Sequence, residues 1–353
     1  MKKLLYSLAA VLAIAACTPD STSDSVDNND NPQENSEGNS QENQDDNTQD
    51  NPKYKAPQLV DLGLPSGVKW AASDLGSEDP AVPGDYFSWG ETETAGYFGN
   101  TNKYWEYEDG IGYATKYSVS LRHGRVLDMK TVLEPEDDAA SVALGEGWRT
   151  PSFYDICELL EYCDVDMEFV GEEPNVQEIY TLTSTINGNK LTLAYDVDHP
   201  HMCSSIVCND MRDCVNNNAY VLMGSAVMGG NFRTLGLKVR PVYGGSAKEF
   251  EWKVRAEAEP EVGSTTAIIG GAFLFEEDVM KEYKYYVGLF NSVRGDSFTS
   301  RKDITRTTKA QFSGLEPGHT YYYAVCCQVK WRQDGYTMTE DYISEVRSFT
   351  TGN

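Results

Sequence analysis

Cations are scarce in this sequence. There are 29 Lys+Arg against 55 Asp+Glu in 353 residues, a formal net charge of −26. Nucleic-acid backbones are held by clustered cations that displace counterions, so no nucleic-acid partner is expected. Histidine is scarcer still, with four in the whole chain. The signatures Gly-x-Ser-x-Gly, His-Glu-x-x-His, the phosphate loop and Gly-x-Gly-x-x-Gly are all missing. Carboxylates are too numerous for one acid/base pair to stand out, so an enzyme is not expected and no cofactor is assigned. Beyond residue 16 no run approaches eighteen apolar residues, so no transmembrane helix is expected.

The charge is unevenly spread. Ten of the acids lie within residues 18–52, a stretch without Lys or Arg and with Val26 as its only aliphatic residue. Such a composition cannot bury enough apolar surface to offset its ordering entropy, and it reads as a disordered tether. A flexible chain of this length spans roughly 30–35 Å on average. Ahead of it, Lys2 and Lys3 precede the largely apolar residues 4–16, which have the length of a signal-peptide core. Ile14-Ala15-Ala16-Cys17 resembles a bacterial lipobox, which implies cleavage before Cys17 and a lipid on its thiol. Two acyl chains suffice for a stable anchor, so the membrane is expected as a partner through that anchor only. Acids soon after Cys17, at Asp20 and Asp24, resemble the surface-export signal of Bacteroidota lipoproteins. The expected address is the outer membrane, with the cell surface preferred over the periplasmic face.

Residues 56–243 show Gly and aromatic punctuation in place of long helical periodicity. Residues 60–70 read as strand, Pro-Ser-Gly turn and strand. Residues 134–140 read as a helix start with acids complementing the dipole. Ser152 is the expected N-cap of a second helix, with Asp155 as its capping-box acid. Asn187-Gly188 marks a hairpin, and residues 237–243 read as one alternating strand. The stretches VDLGLPSGVKWA (60–71), GDYFSWGET (84–92), VLEPEDDAA (132–140), GWRTPS (147–152), STINGN (184–189), NNAYVL (217–222) and GLKVRPVY (236–243) together resemble the Fibrobacter succinogenes major paralogous domain. That resemblance implies an irregular α+β fold related to C-type-lectin-like and formylglycine-generating-enzyme-like folds. His199-Pro200-His201-Met202-Cys203 and Cys208 depart from the aromatic stretch that the family often carries there.

Residues 250–353 carry short strand signals at 253–257, 265–275, 283–290, 309–315, 320–330 and 344–350, the spacing of an all-β sandwich. Leu315-Glu316-Pro317-Gly318-His319-Thr320-Tyr321 resembles the fibronectin type III pattern, which implies that Tyr321 forms a structural tyrosine corner. Tyr321, Tyr323, Val325 and Cys327 then point inward, and Cys326 and Cys327 face opposite ways. The expected organisation is a signal peptide over 1–16, lipidated Cys17 with its tether over 17–55, the α+β region over 56–243 and the sandwich over 250–353.

The richest functional hint lies between residues 86 and 117. Tyr86, Phe87, Trp89, Tyr97, Phe98, Tyr104, Trp105, Tyr107, Tyr113 and Tyr117 are interleaved with Glu91, Asn100, Asn102, Glu106 and Asp109. Aromatic faces beside short polar groups suit the C–H faces and hydroxyl edges of sugars. The same aromatics also suit a core poor in regular structure. Trp89, Tyr104, Trp105 and Tyr107 are the candidate ligand contacts. No metal site is assigned. Glu173-Pro174-Asn175 with Asn209-Asp210 is too widely separated for a lectin calcium site. Glu134, Glu136, Asp137 and Asp138 are better explained by helix capping than by calcium. His199, His201, Cys203, Cys208 and Cys214 match no zinc spacing, although one disulfide among the three cysteines fits an envelope location. Arg294-Gly295-Asp296 is an integrin-type tripeptide outside its usual loop. Taken together, a surface-exposed binding or adhesion protein is expected, with glycans or host and matrix proteins as ligands. A structural or assembly component of the envelope is the alternative.

Overall fold

The computed structural model describes residues 54–95, 102–171, 176–195, 199–206, 217, 219–231, 233–257, 259–275, 278, 280–290, 298–333 and 335–353. Outside them lie the expected signal peptide, Cys17, the expected tether up to residue 53, Tyr97, Phe98, Asn100, Glu173 to Asn175, Cys208 to Asp210, Cys214 and Arg294 to Asp296. The chain divides into two units, 1–51 and 52–353, and every described residue belongs to the second. That unit is mostly β, built from several sheets.

Alternation in sequence builds the region after residue 250. One sheet joins Val254–Ala256, Thr266–Phe273, Glu261–Val262 and Lys309–Ser313. The other joins Ser300–Asp303, Lys281–Phe290, Thr320–Gln333, Tyr336–Ile343 and Arg347–Thr350. Side chains alternate across a strand, and Tyr321, Tyr323, Val325, Cys327 and Val329 enter the core between these sheets. Tyr321 accepts a hydrogen bond from the Glu316 N–H at 3.0 Å, closing the corner where the chain turns into its long strand. Three strands escape the sequence reading: Glu261–Val262, Ser300–Asp303 and Tyr336–Ile343. The first two are fully exposed and the third is exposed along most of its length, so they carry no apolar alternation.

The opposite face of Thr320–Gln333 is also covered. Ala324 and Cys326 are buried with Phe290, Ile343 and Val346, and the same cluster contains Phe87, Trp89, Tyr117, Val119 and Leu237 from before residue 243. Burying side chains of this size contributes roughly 1.5–3 kcal/mol each. The backbone joins in. Leu121 N–H donates to Val346 O at 2.9 Å and Val346 N–H to Val119 O at 3.0 Å. These bonds sit where the last strand is interrupted between Ile343 and Arg347. Thus one core holds residues from both sides of Gly244-Gly245-Ser246, the stretch whose glycines suggest a linker in sequence.

The region before residue 243 uses short strands. Leu59–Val60, Lys69–Ala71, Val242–Tyr243 and Trp148–Arg149 form an antiparallel sheet in that order. Ala226–Asn231, Ala219–Met223, His201–Met202, Leu237–Lys238 and Tyr86–Phe87 form a second. Residues 237–243 are therefore not one strand but two short ones in different sheets. The Pro241 ring has no N–H to continue a ladder. Between the strands, Val239 O accepts from Leu75 N–H and Pro241 O from Ala71 N–H, both at 2.8 Å. A third sheet contains Cys163–Val170, Gln177–Ser184 and Lys190–Tyr195, with the last two joined by the turn through Asn187-Gly188.

Among the described residues two α-helices punctuate this region. The acids at 134–140 divide their work: Pro135–Asp137 is a single tight turn, and Asp138 then caps α1 (Ala139–Leu144) by accepting from Ala140 N–H at 2.9 Å. Ser152 and Asp155 form the reciprocal capping box of α2 (Phe153–Tyr162). Asp155 also takes both guanidinium arms of Arg149, at 2.6 and 2.9 Å.

Candidate functional site

The interleaved aromatics separate into core and surface. Trp89 is fully buried: its indole N–H donates to Cys203 O at 2.9 Å, and Tyr117 packs edge-on at 5.1 Å. The Arg233 guanidinium lies 4.7 Å from its ring. That buried arginine donates to the carbonyls of Asn217, Lys116 and Tyr117. Burial brings its pKa down to about 9, which leaves it charged at neutral pH. Trp89 is therefore a core residue, and the structure removes it from the ligand contacts expected of the sequence. Its flat apolar ring is the same signal in a core as on a surface.

Tyr104 is half-buried and its hydroxyl is committed, donating to Asp137 at 2.6 Å. Asp137 collects four donors: Tyr104 and Lys103 on one oxygen, Lys116 and Tyr117 on the other, at 2.6–2.9 Å. Burial alone would raise its carboxyl, but the bonds from Lys116, Tyr104, Tyr117 and Lys103 outweigh it and hold the group well below the usual carboxylate range. Lys116 also pairs with Glu134 at 2.5 Å, and Glu134 with Lys130 at 2.5 Å. Asp138 binds Thr150 N–H at 2.8 Å besides its cap. The acids of this stretch thus face cations and backbone donors. Asp137 stays ionised with its acceptor sites filled, so it braces the loop instead of taking a proton. Lys103 and Lys116 were not singled out in the sequence, because nothing in their spacing shows that both reach one carboxylate.

Trp105 and Tyr107 stand on a hairpin formed by Trp105–Glu108 and Ile111–Ala114. Asp109 and Gly110 both take positive φ, 52° and 75°, the geometry of a tight two-residue hairpin turn. Alternation places Trp105 and Tyr107 on one face. Tyr107 pairs across the ribbon with Gly112, and a Cβ on Gly112 would collide with the Trp105 indole. The indole therefore lies flat against the backbone, with Arg233 at 5.6 Å from its ring. Tyr107 is 61% exposed. On the other face Arg125 stacks on Tyr113 at 3.9 Å and binds Glu108 at 2.6 Å. The hairpin offers a seated indole and an open phenol ring on one face, while Glu106 and Glu108 lie on the other, paired with Arg125. Such a face takes up the apolar face of a ring by stacking. Gly112, which makes the surface flat, carried no signal in sequence beyond being a glycine within a strand.

The His/Cys stretch has a different role. His201 Nε2 lies 3.0 Å from Asp74 Oδ1, and Arg240 Nε lies 2.7 Å from the same oxygen, all three side chains buried. Burial, only partly offset by Asp74, brings the His201 pKa down to about 4. His199 packs on Tyr86 at 4.2 Å. Cys203 is a buried thiol pushed up to about 12 by burial. Among the described residues no group of His, Cys, Asp and Glu is arranged to hold a metal ion.

No protein-family model and no curated protein matches this chain. Among solved structures, the solution structure of the fibronectin type-III domain of human fibronectin type III domain containing protein 3 aligns with 31% of this chain and 93% of its own, at 17% identity and a TM-score of 0.20.

Proposed function

We propose that this protein is a lipid-anchored binding or adhesion protein of the bacterial outer membrane, displayed on the cell surface through Cys17 and the acidic tether. In this reading residues 56–243 are a Fibrobacter succinogenes major paralogous-type module with a C-type-lectin-like relation, and residues 250–353 are its fibronectin type III partner domain. The ligand is a glycan, or a glycan-bearing host or matrix protein, taken up on the 105–114 hairpin. The observation that carries the reading is that Trp105, seated on Gly112, and the exposed ring of Tyr107 share one face of a two-stranded ribbon. Aromatic platforms of this kind supply contact area at little entropic cost, since each ring has two torsions.

The test is a glycan array probed with the chain from residue 52 onward, beside a Tyr107→Ala variant. Binding that falls at least about tenfold in the variant, the equivalent of losing one stacked ring, supports the reading. An array without hits, or hits that Tyr107→Ala leaves unchanged, overturns it. Membrane fractionation of the full chain against Cys17→Ala tests the anchor: an unchanged membrane fraction would sink it.

A further inference from the structure

Strand Cys163–Val170 is the edge of its three-stranded sheet. It pairs on one side with Gln177–Ser184, from Cys163↔Ser184 to Val170↔Gln177. Among the described residues no backbone hydrogen bond leaves its other side. Helix α2 runs directly into it, with Cys163 as the last cap residue, so the strand is held at one end by a capped helix and along one side by eight cross-strand pairs. Edge strands that must stay single are usually short, charged, twisted by bulges or covered, and here carboxylates are the one such guard, which turns away acidic strands but not basic ones. This one is eight residues long, regular in register and exposed from Asp166 onward.

Its side chains carry a pattern. Met167 and Phe169 lie on one face, 47% and 64% exposed. Asp164, Asp166 and Glu168 lie exposed on the other, and none of the three makes an ion pair among the described residues. We infer that this edge accepts an added strand from another protein: an extended basic segment with Lys or Arg at alternate positions and apolar residues between them. Strand addition takes its affinity from main-chain hydrogen bonds and its specificity from alternate side chains. Here one alternate set would meet the three carboxylates and the other would cover Met167 and Phe169.

The charge pattern selects this occupant over two others. A second copy, paired antiparallel about a two-fold axis, keeps each face level with itself and sets acids beside acids, which is destabilising. The chain's own tether has ten acids and no cation over 18–52, so it is repelled in the same way. This inference does not rest on the hairpin reading above, because the two surfaces share no residue.

The test uses the chain from residue 52 onward and an eight-residue peptide alternating Lys and Val, capped at both ends. Three probes accompany it: the same peptide N-methylated at alternate residues, a Glu/Val counterpart, and the double variant Asp166→Lys, Glu168→Lys. The expected result is salt-sensitive binding of the Lys/Val peptide, with slowed amide exchange confined to 163–170. N-methylation on the bonding edge should weaken binding at least about tenfold, since several main-chain bonds are lost together. The double variant, which changes exposed positions only, should prefer the Glu/Val peptide. No binding, binding of the N-methylated peptide equal to that of its parent, protection elsewhere in the chain, or an unchanged preference in the variant overturns the proposal. A concentration-dependent dimer protected at 163–170 overturns the choice of occupant.

Discussion

The regions on either side of residue 245 solve the same packing problem differently. After it, long strands alternate apolar and polar side chains, and a large hydrophobic cluster lies between the two sheets, with Glu345 as its buried charge, paired with Arg347 and accepting from Ala256 N–H. Before it, many strands have only two or three residues, and charged groups fill what the strands do not. Arg240, Lys238, Asp74 and Arg233 are all buried. Lys238 Nζ donates to Ala194 O at 2.7 Å, and Arg240 reaches the carbonyls of Ala72 and Thr192 at 2.6 and 3.0 Å. A long guanidinium or ammonium side chain thus supplies donors to carbonyls that a ladder would otherwise satisfy. Irregular backbone can be buried when side chains take over the hydrogen bonding, at the cost of desolvating charge.

That contrast makes quantitative expectations. The largest concerns Asp74, whose loss strands Arg240 in the interior: Asp74→Ala should destabilise by about 3–5 kcal/mol in chemical denaturation. Phe290→Ala tests whether the two regions are one cooperative body. The ring is buried in the shared cluster, with Arg122 4.8 Å from it. A loss of about 3–5 kcal/mol is expected, as a single transition seen alike by probes in both regions. Two separated transitions in the wild-type chain would break the comparison.

Acid should act on the first region. His201 has a folded pKa lowered to about 4, against about 6.5 when unfolded. Its neutral form is therefore a source of stability that is complete above about pH 6.5 and is lost as pH falls toward 4, by at most about 1.4 kcal/mol per pH unit. His201→Gln should flatten the stability–pH curve in that window, and an unchanged curve would show that the slope arises elsewhere. Smaller still, Tyr321→Phe deletes one corner hydrogen bond and should cost about 1 kcal/mol, read as a shift of the denaturation midpoint. Tyr107→Ala, on the surface, should change stability by less than about 0.5 kcal/mol while abolishing any stacking on the hairpin.

What was legible in sequence follows the same division. The inward set Tyr321, Tyr323, Val325 and Cys327 could be read because a strand's two faces alternate locally. The Ser152/Asp155 capping box and the Asn187-Gly188 turn were equally local. The short pairings were not, because Val60, Trp70, Val242 and Arg149 meet across a sheet from positions far apart in the chain. Composition could not separate Trp89 from Tyr107 either. Both are aromatic residues amid polar neighbours, and only the positions of Arg233 and Cys203 show that one is enclosed. The second face of Thr320–Gln333 was half visible: Ala324 and Cys326 are poor choices for a solvated surface, but nothing in their own segment says what covers them.

Val346 has a mechanical consequence. The final strand is spliced: it runs along Thr320–Gln333, keeps hold of Val325 through Ser344, turns aside at residues 345–346 so that Val346 clasps Val119 and Leu121, then resumes. A load pulling on Arg347–Thr350 cannot peel that strand bond by bond without reaching the clasp, which resists together with the packed side chains around it. Tension on one region is thereby transmitted to the other, and the pair should yield in a single rupture instead of extending in two steps.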